Sequence, residues 1–240
     1  MKAFIKQILR GRGIDLVSFD PVNHPIARRL KLIMQYKIDL LFDVGANTGQ
    51  YANQMRLLGY HGKIVSFEPL SAAYKELEKR ARPDPLWDTV NIALGNENSS
   101  AEINIAQNSQ SSSILGILPA HVNVAPESVY VGKENIIVRR LDTIIDDYWL
   151  PSQNLFVKID AQGYERHILE GMGNSLDRVV GVQMEVSLVP LYEGETLLPD
   201  MITLMASKGY VLMSVEPTYG NAMTGQLLQI DCIFFRQNVH

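Results

Sequence analysis

Two glycines spaced four residues apart follow an acidic residue in the segment DVGANTG, which occupies residues 43–49. The segment lies between an apolar run and a helical pattern, so it should form the turn after a buried first strand. Glycines in such a turn allow a tight bend and a close approach of the backbone to a ligand. Asn47 replaces the second glycine of the dinucleotide-binding pattern G-x-G-x-x-G. The spacing therefore predicts a ligand-binding loop of another kind.

Acidic residues at two strand ends indicate the chemistry of the ligand. Asp43 would repel a pyrophosphate, whereas it can accept a hydrogen bond from the cationic amino-acid end of S-adenosylmethionine. Glu68 follows the next strand, residues 63–67, where a carboxylate can accept hydrogen bonds from both ribose hydroxyls. A third strand, residues 90–94, ends in small and apolar residues that can meet an adenine. The predicted cofactor-binding residues are Asp43, Gly45, Asn47, Gly49, Glu68, Pro69, Ala93, Leu94 and Asp160.

Several sequence blocks resemble the FkbM family of methyltransferases. They are FDVGANTGQ at 42–50, VSFEPL at 65–70, VKIDAQGYE at 157–165, LEG at 169–171, MEV at 184–186, LYEG at 191–194 and QID at 229–231. The resemblance follows the chain in this order and covers it from about residue 15 to its end. The resemblance implies S-adenosylmethionine-dependent O-methylation, commonly of hydroxyls on sugars, glycolipids or polyketide-type products. Ala161 departs from the family pattern, in which a larger or acidic residue is more usual.

Candidate catalytic acids lie at the ends of the fourth and fifth predicted strands. Methyl transfer from a sulfonium requires an acceptor oxygen held in line with the methyl carbon, and often a group that removes its proton. In a doubly wound sheet the ligand crevice lies at the carboxyl ends of the strands. We rank Asp160 first, as base or acceptor-orienting group, then Glu185, then His167 in the following helix. In the alternative interpretations Asp160 caps that helix and His167 faces solvent.

A divalent cation is a second interpretation of the two acids. Asp160 and Glu185 could hold Mg²⁺, which takes one or two carboxylates together with substrate oxygens. Metal-dependent O-methyltransferases usually carry an asparagine beside the second acid, and Val186 occupies that position here. The favoured cofactor is therefore S-adenosyl-L-methionine alone.

The elements that position these residues alternate between apolar strands and amphipathic helices. This alternation predicts an α/β fold with a doubly wound, Rossmann-like class I methyltransferase sheet, mainly parallel with a closing antiparallel strand. The predicted strands are 40–44, 63–67, 90–94, 101–106, 135–140, 155–159, 179–186, 210–215 and 227–235. The predicted helices are 48–58, 71–80 with Ser71 as its cap, one that follows residue 163 and ends near 170, and 197–208. We expect 101–106 to pair with 135–140.

The chain divides into an N-terminal helical arm, residues 1–38, and a methyltransferase domain, residues 39–240. Residues 108–133 are rich in serine and proline, and we interpret this long segment as a lid over the site, with a plain surface loop as the alternative. Residues 1–13 form a basic amphipathic pattern. It packs on the domain or on a partner, or else contacts a membrane surface peripherally.

Composition limits the classes of partner. The formal net charge of −4 argues against nucleic acid, which leaves a small-molecule or glycan acceptor. A single cysteine, Cys232, excludes an intrachain disulfide. Without a signal peptide or an apolar run long enough to span a membrane, the sequence predicts a cytoplasmic protein. No pattern identifies an oligomeric state.

Two other functions remain as alternatives. An NAD-dependent oxidoreductase would need the missing glycine of the dinucleotide pattern. A non-catalytic nucleoside-binding protein would not need the acids Asp160 and Glu185. A hydrolase is disfavoured because the sequence has neither G-x-S-x-G nor H-E-x-x-H.

Overall fold

A computed structural model describes residues 2–237, without the side chains of residues 2, 3 and 5. In chain order its main elements are α1 Lys2–Arg10, α2 Pro25–Gln35, β1 Leu40–Val44, α3 Gln50–Leu57, β2 Lys63–Phe67, α4 Ser71–Ala81, β3 Trp87–Val90, β4 Ala93–Leu94, β5 Ser99–Ala106, α5 Pro119–Val124, β6 Tyr130–Arg139, β7 Leu155–Ile159, α6 Glu165–Gly171, β8 Gly181–Ser187, α7 Leu198–Ser207, β9 Tyr210–Gly220 and β10 Leu227–Arg236.

The main sheet has seven strands in the order β3-β2-β1-β7-β8-β10-β9. β1 pairs in parallel with both β2 and β7, so Leu40 lies between Lys63 and Leu155. β10 runs antiparallel to both of its neighbours. The order reverses at β1, which is where open α/β sheets form their ligand crevice. The predicted doubly wound, mainly parallel sheet with a closing antiparallel strand is confirmed.

Both faces of the sheet are covered, as the apolar strands require. Side chains alternate between faces along a strand. Phe42 therefore packs into one buried cluster, and its neighbour Leu41 packs into the other. Helices α6 and α7 contribute to the first cluster, whereas α2, α3 and α4 contribute to the second.

The predicted third strand, residues 90–94, is wrong in its bounds. β3 ends at Val90, and Ala93 and Leu94 leave the main sheet to pair with β6 in a separate three-stranded sheet. The side-chain amide of Asn91 donates to the carbonyls of Glu68 and Pro69, which holds the chain away from a continued strand. The predicted pairing of 101–106 with 135–140 is confirmed, since β5 and β6 run antiparallel with Ala101 opposite Ile136.

The helix that follows β2 begins at Ser71, as predicted, but Ser71 is not its cap. Leu70 occupies the cap position without a side-chain hydrogen bond. The Ser71 hydroxyl instead donates to the carboxylate of Glu134 on β6. The serine therefore joins α4 to the three-stranded sheet rather than capping the helix.

The predicted N-terminal arm has two parts with different packing. In α2 and just after it, Leu32, Ile33 and Ile38 are buried in the core, so this part belongs to the domain. Phe4 and Ile8 of α1 are exposed. The predicted apolar face of α1 also includes Ile5, whose side chain lies outside the described residues. None of the helices described could cross a membrane.

Candidate active site

Gly45 starts the loop after β1 in a conformation that other residues rarely adopt. Its φ is +73°, and a Cβ built on it would lie 1.8 Å from the carbonyl oxygen of Asp160. The N–H groups of Gly45 and Ala46 both donate to the carbonyl of Phe67 at 3.0 Å. The loop is thereby held against the ends of β2 and β7, and only glycine fits at its first position.

Glu68 fixes the next turn of the same loop. Its Oε2 accepts the N–H of Asn47 at 2.7 Å, and its Oε1 accepts the N–H of Leu70 at 2.8 Å. Burial raises the pKa of Glu68 to about 7, although the two backbone hydrogen bonds act in the opposite direction. The carboxylate thus links the loop after β1 to the start of α4.

A cavity of about 520 Å³ opens over the carboxyl ends of the strands. This volume falls within the range of small-molecule sites. Of the predicted cofactor-binding residues, the structure places these seven on the cavity wall: Gly45, Asn47, Glu68, Pro69, Ala93, Leu94 and Asp160.

The other two predicted cofactor-binding residues, Asp43 and Gly49, do not line this cavity. Asp43 is fully buried, and its nearest cation is the ammonium of Lys158 at 3.7 Å. Burial raises the pKa of Asp43, with Lys158 opposing the shift. Gly49 has a φ of +83° at the start of α3, where a Cβ would lie 2.9 Å from Leu77 and Trp87. The close packing of Leu77 and Trp87 therefore explains why glycine occupies this position.

The two candidate acids at the ends of β7 and β8 share one hydrogen-bond donor. The side-chain nitrogen of Gln162 donates to Asp160 at 2.7 Å and to Glu185 at 2.9 Å. The amide oxygen of Gln162 accepts the hydroxyl of Tyr192 at 2.5 Å. Gln162 therefore fixes both carboxylates through a single side chain. No sequence pattern indicates this role, because a glutamine beside a glycine is typical of a simple turn.

Charged groups surround this pair of acids. Lys158 donates to Asp160 at 3.1 Å. Burial alone lowers the pKa of Lys158, but nearby carboxylates, chiefly Asp160 and Asp43, outweigh it and raise that pKa. Burial, followed by repulsion from Asp160 and Asp231, raises the pKa of Glu185 well above its ordinary value. The site therefore holds one acid in an ion pair beside another that favours its neutral form.

Two further acids lie in line with Glu185 on the antiparallel strands β10 and β9. In the strand registers Asp231 of β10 lies opposite Glu185 on one side and Glu216 of β9 on the other. Burial raises the pKa of Asp231 to about 6. Arg29 reaches the cavity wall from α2 and pairs with Glu216, and both side chains are buried. Sequence reasoning missed these residues, since the contacts join segments remote in the chain.

His167, the third candidate catalytic residue, does not line the cavity. Its ring stacks on Tyr164 with centroids 4.1 Å apart. The alternative role for Asp160, a cap on α6, is also not observed, because Tyr164 occupies the cap position and no side chain in the described part of the chain caps that helix. Glu165 accepts the backbone N–H groups of Ala161 and Gly163 in the preceding turn, and Asp160 lines the cavity.

Residues 108–133 are more ordered than a plain loop. They contain α5, a short helical turn at Pro126–Ser128 and the start of β6. The Ser113 hydroxyl donates to the carbonyl of Gln162 at 2.7 Å, and the Asn47 amide donates to the Ser109 hydroxyl at 3.2 Å. Many residues of this segment line the cavity, including Ser109 and Ser113.

A metal site finds no support in the arrangement of donors. In the part of the chain that the structure describes, no three His, Cys, Asp or Glu residues cluster with metal-ligand geometry. Between Asp160 and Glu185 lies the amide nitrogen of Gln162, a hydrogen-bond donor that satisfies both carboxylates. The pair is thus bridged by protein.

The sequence-family model described as the methyltransferase FkbM domain matches residues 43–212 of this chain. This match covers the loop after β1, residues 108–133 and both candidate acids. The chain belongs to the FkbM methyltransferase family. The family resemblance stated from the sequence blocks is thus confirmed.

Sequence identity to individual methyltransferases is low. The hexuronic acid methyltransferase AglP of Haloferax volcanii is 25% identical over 158 residues, which are 66% of this chain and 60% of that protein. The chain thus spans 60% of the length of this curated relative.

The solved structures have lower sequence identity to this chain. The methyltransferase FkbM of Methylobacillus flagellatus KT is 14% identical with a TM-score of 0.49, over 82% of this chain and 43% of that one. The magnesium protoporphyrin IX methyltransferase of Synechocystis PCC 6803, solved with bound S-adenosylmethionine, is 7% identical with a TM-score of 0.49, over 88% of this chain and 76% of that one.

Proposed function

We propose that this protein transfers a methyl group from S-adenosyl-L-methionine to a hydroxyl of a sugar or glycan acceptor. One observation carries the proposal: a single cavity joins the glycine loop and Glu68 to the acids Asp160 and Glu185. Membership of the FkbM family supports methyl transfer. The relative that is named for hexuronic acid supports a sugar acceptor.

The cofactor half of the cavity fits an adenosine group. Each oxygen of Glu68 accepts one backbone N–H and has a second lone pair, so both oxygens can accept a ribose hydroxyl. The neighbouring wall is apolar and includes Ile92, Ala93 and Leu94, which suits a flat aromatic base. When bound, the cofactor supplies an electrophilic methyl group on a sulfonium.

The acid half of the cavity provides the remaining chemistry. The acceptor oxygen forms its new bond to carbon as the sulfur–carbon bond breaks, and the hydroxyl proton passes to a carboxylate. We assign this proton to Asp160, because Gln162 and Lys158 hold its carboxylate in a fixed orientation. Glu185 is the second candidate. Residues 108–133 act as the lid that excludes water from this step.

Asp160→Asn tests the role of this acid. If Asp160 acts on the acceptor only, the variant keeps its affinity for S-adenosylmethionine and loses roughly 10²-fold or more in turnover. Affinity is measured by calorimetry, and turnover by incorporation of labelled methyl from the cofactor into cell-derived glycan extracts. Near-normal turnover of the variant would transfer the role to Glu185.

Two controls separate this proposal from the alternatives. Calorimetry with NAD should give no binding, and binding of NAD without S-adenosylmethionine would support an oxidoreductase. Binding of S-adenosylmethionine without methylation of any extract would support a non-catalytic nucleoside-binding protein. A chelator should leave turnover unchanged. A chelator-sensitive activity that Mg²⁺ restores in the wild type but not in Asp160→Asn would support the metal alternative.

A further inference from the structure

A buried histidine of the lid segment lies on the wall of the cavity. His121 belongs to α5 and is only 3% exposed. Its Nδ1 atom is buried without a hydrogen-bond partner among the described residues, and neither ring nitrogen appears in the side-chain hydrogen bonds of the described chain. Burying such a group unpaired costs free energy, and native proteins keep few of them. The imidazole is therefore ready to pair with a ligand.

Two tyrosines fix the orientation of this ring. Tyr192 meets it edge to face with centroids 5.2 Å apart, and Tyr219 lies at 5.3 Å. The hydroxyl of Tyr219 also contacts the backbone carbonyl of His121 at 3.4 Å. Both rings hold the imidazole by packing, which leaves its nitrogens unused.

The histidine belongs to the acid half of the cavity. Tyr192, which packs on His121, donates its hydroxyl to Gln162, and Gln162 in turn holds Asp160 and Glu185. The same wall includes Tyr219 beside its chain neighbour Thr218. The imidazole is therefore connected to the acids through Tyr192 and Gln162, on the side of the cavity where the acceptor rather than the adenosine would bind.

We propose that His121 binds the acceptor, by accepting a hydrogen bond from one sugar hydroxyl through the lone pair of its ring. The inference rests on the proposed function and adds a specificity residue to it. A neutral imidazole has one N–H donor and one lone pair, and the lone pair can accept from a hydroxyl that meets this wall of the cavity. Tyr219, on the same wall, offers an aromatic surface to the C–H groups of that sugar.

The surroundings of His121 favour its neutral form. Burial lowers the pKa of His121, and the carboxylate of Glu127 opposes the shift. The two tyrosines that contact the ring, Tyr192 and Tyr219, have pKa values raised by burial and remain uncharged. At neutral pH the imidazole accordingly keeps the lone pair that accepts from a hydroxyl.

Substitutions at His121 test this assignment with defined sugars. The probes are the methyl glycosides of glucose, galactose, mannose and glucuronic acid, methylated with labelled S-adenosylmethionine. We expect His121→Phe, which keeps the ring packing but removes the hydrogen bond, to raise the KM for the glycoside about tenfold or more. We expect His121→Asn, which keeps a donor and an acceptor, to recover part of this loss. His61→Phe, at an exposed position, is the matched control.

Two further measurements separate binding of the acceptor from a merely structural role. Calorimetry should give the same affinity for S-adenosylhomocysteine in His121→Phe as in the wild type. The wild-type kcat/KM should fall on acidification in a step that His121→Asn lacks.

The outcomes also distinguish this inference from the proposed function. If the wild type methylates none of the glycosides, the sugar acceptor is wrong and the inference falls with it. If the wild type methylates a glycoside and His121→Phe retains the wild-type KM, only the inference is overturned.

Discussion

Glu68 accepts two backbone N–H groups and yet has a pKa of about 7, because burial outweighs those hydrogen bonds. The same carboxylate is proposed to accept the ribose hydroxyls of the cofactor. Only its ionised form can accept from all four donors at once. Cofactor binding and ionisation of Glu68 should therefore be linked.

We predict that cofactor affinity depends on pH through Glu68. Because the free protein has a Glu68 pKa of about 7, affinity should be greatest above pH 7 and fall as the pH decreases below it. Glu68→Ala should weaken binding by about 1–3 kcal/mol at pH 8. Calorimetry with S-adenosylhomocysteine between about pH 5.5 and 8 measures both effects, above the range where ordinary carboxylic acids titrate.

Glu68→Gln is the control for the pH dependence. Its amide oxygen can still accept one backbone N–H, but the side chain no longer titrates. Thermal unfolding shows whether each variant is folded. A folded Glu68→Gln protein that keeps the wild-type pH dependence would show that another group is responsible.

Among individual residues, the sequence predicts the roles of those that act through their neighbours along the chain. Gly45 and Glu68 could be assigned because a tight turn and a strand end are local features. Gln162 could not, since its importance depends on a left-handed φ of +53° and on a partner in β8. His167 was misplaced because its orientation depends on how α6 packs on the sheet, and Asp43 because Lys158 of the neighbouring strand β7 lies against it.

At the scale of elements, α2 is attached to the sheet by a buried ion pair. Arg29 and Glu216 have side chains that are 6% and 7% exposed. Arg29 also lies over the ring of Tyr51, 5.2 Å from its centroid. Removing one member of such a pair leaves the other charged and buried, which is strongly unfavourable.

We therefore predict that Arg29→Met lowers the free energy of unfolding by about 3–5 kcal/mol. The double variant Arg29→Met, Glu216→Leu should be more stable than the single variant, because it removes the orphaned carboxylate as well. Urea denaturation followed by circular dichroism measures both values.

An exposed ion pair provides the matched control. The side chains of Arg10 and Asp15 are 63% and 45% exposed, so Arg10→Met should leave the free energy of unfolding nearly unchanged. Equal losses for Arg29→Met and Arg10→Met would show that α2 is not held by this pair.

The elements themselves follow closely from the sequence. β1, β2 and β7 have the predicted bounds, since each is a short apolar run between turn residues. The prediction was wrong where two sheets meet, because the split between β3 and β4 depends on hydrogen bonds from Asn91 to the loop after β2. The packing of α2 was not predicted either, since it depends on a glutamate near the end of the chain.

At the scale of the whole molecule, the site concentrates acids whose ionisation is unfavourable. Burial raises the pKa of Glu68 and of Glu165 to about 7 and that of Asp231 to about 6. It also raises the pKa values of Asp43 and Glu185. An unfolded chain has these groups near their ordinary values of about 4. The folded protein therefore binds more protons than the unfolded chain between about pH 4 and 7.

Stability should consequently fall as the pH rises through this window. Lys158 does not change this, because its raised pKa lies above the window. His121 opposes it, since its lowered pKa makes protonation of the folded protein unfavourable, but it is a single group against several acids. We predict that the melting temperature of the cofactor-free protein is about 5 °C or more higher at pH 5.5 than at pH 7.5.

Glu165→Gln checks the origin of this pH dependence. Glu165 does not line the cavity, and a glutamine oxygen can still accept the N–H groups of Ala161 and Gly163. The variant should fold, and its melting temperature should vary less with pH than that of the wild type, because one raised acid no longer titrates. Scanning calorimetry at several pH values measures the difference. A melting temperature that falls on acidification from pH 7.5 to 5.5 would mean that these acids are already ionised in the folded protein, and that the site is more hydrated than its burial implies.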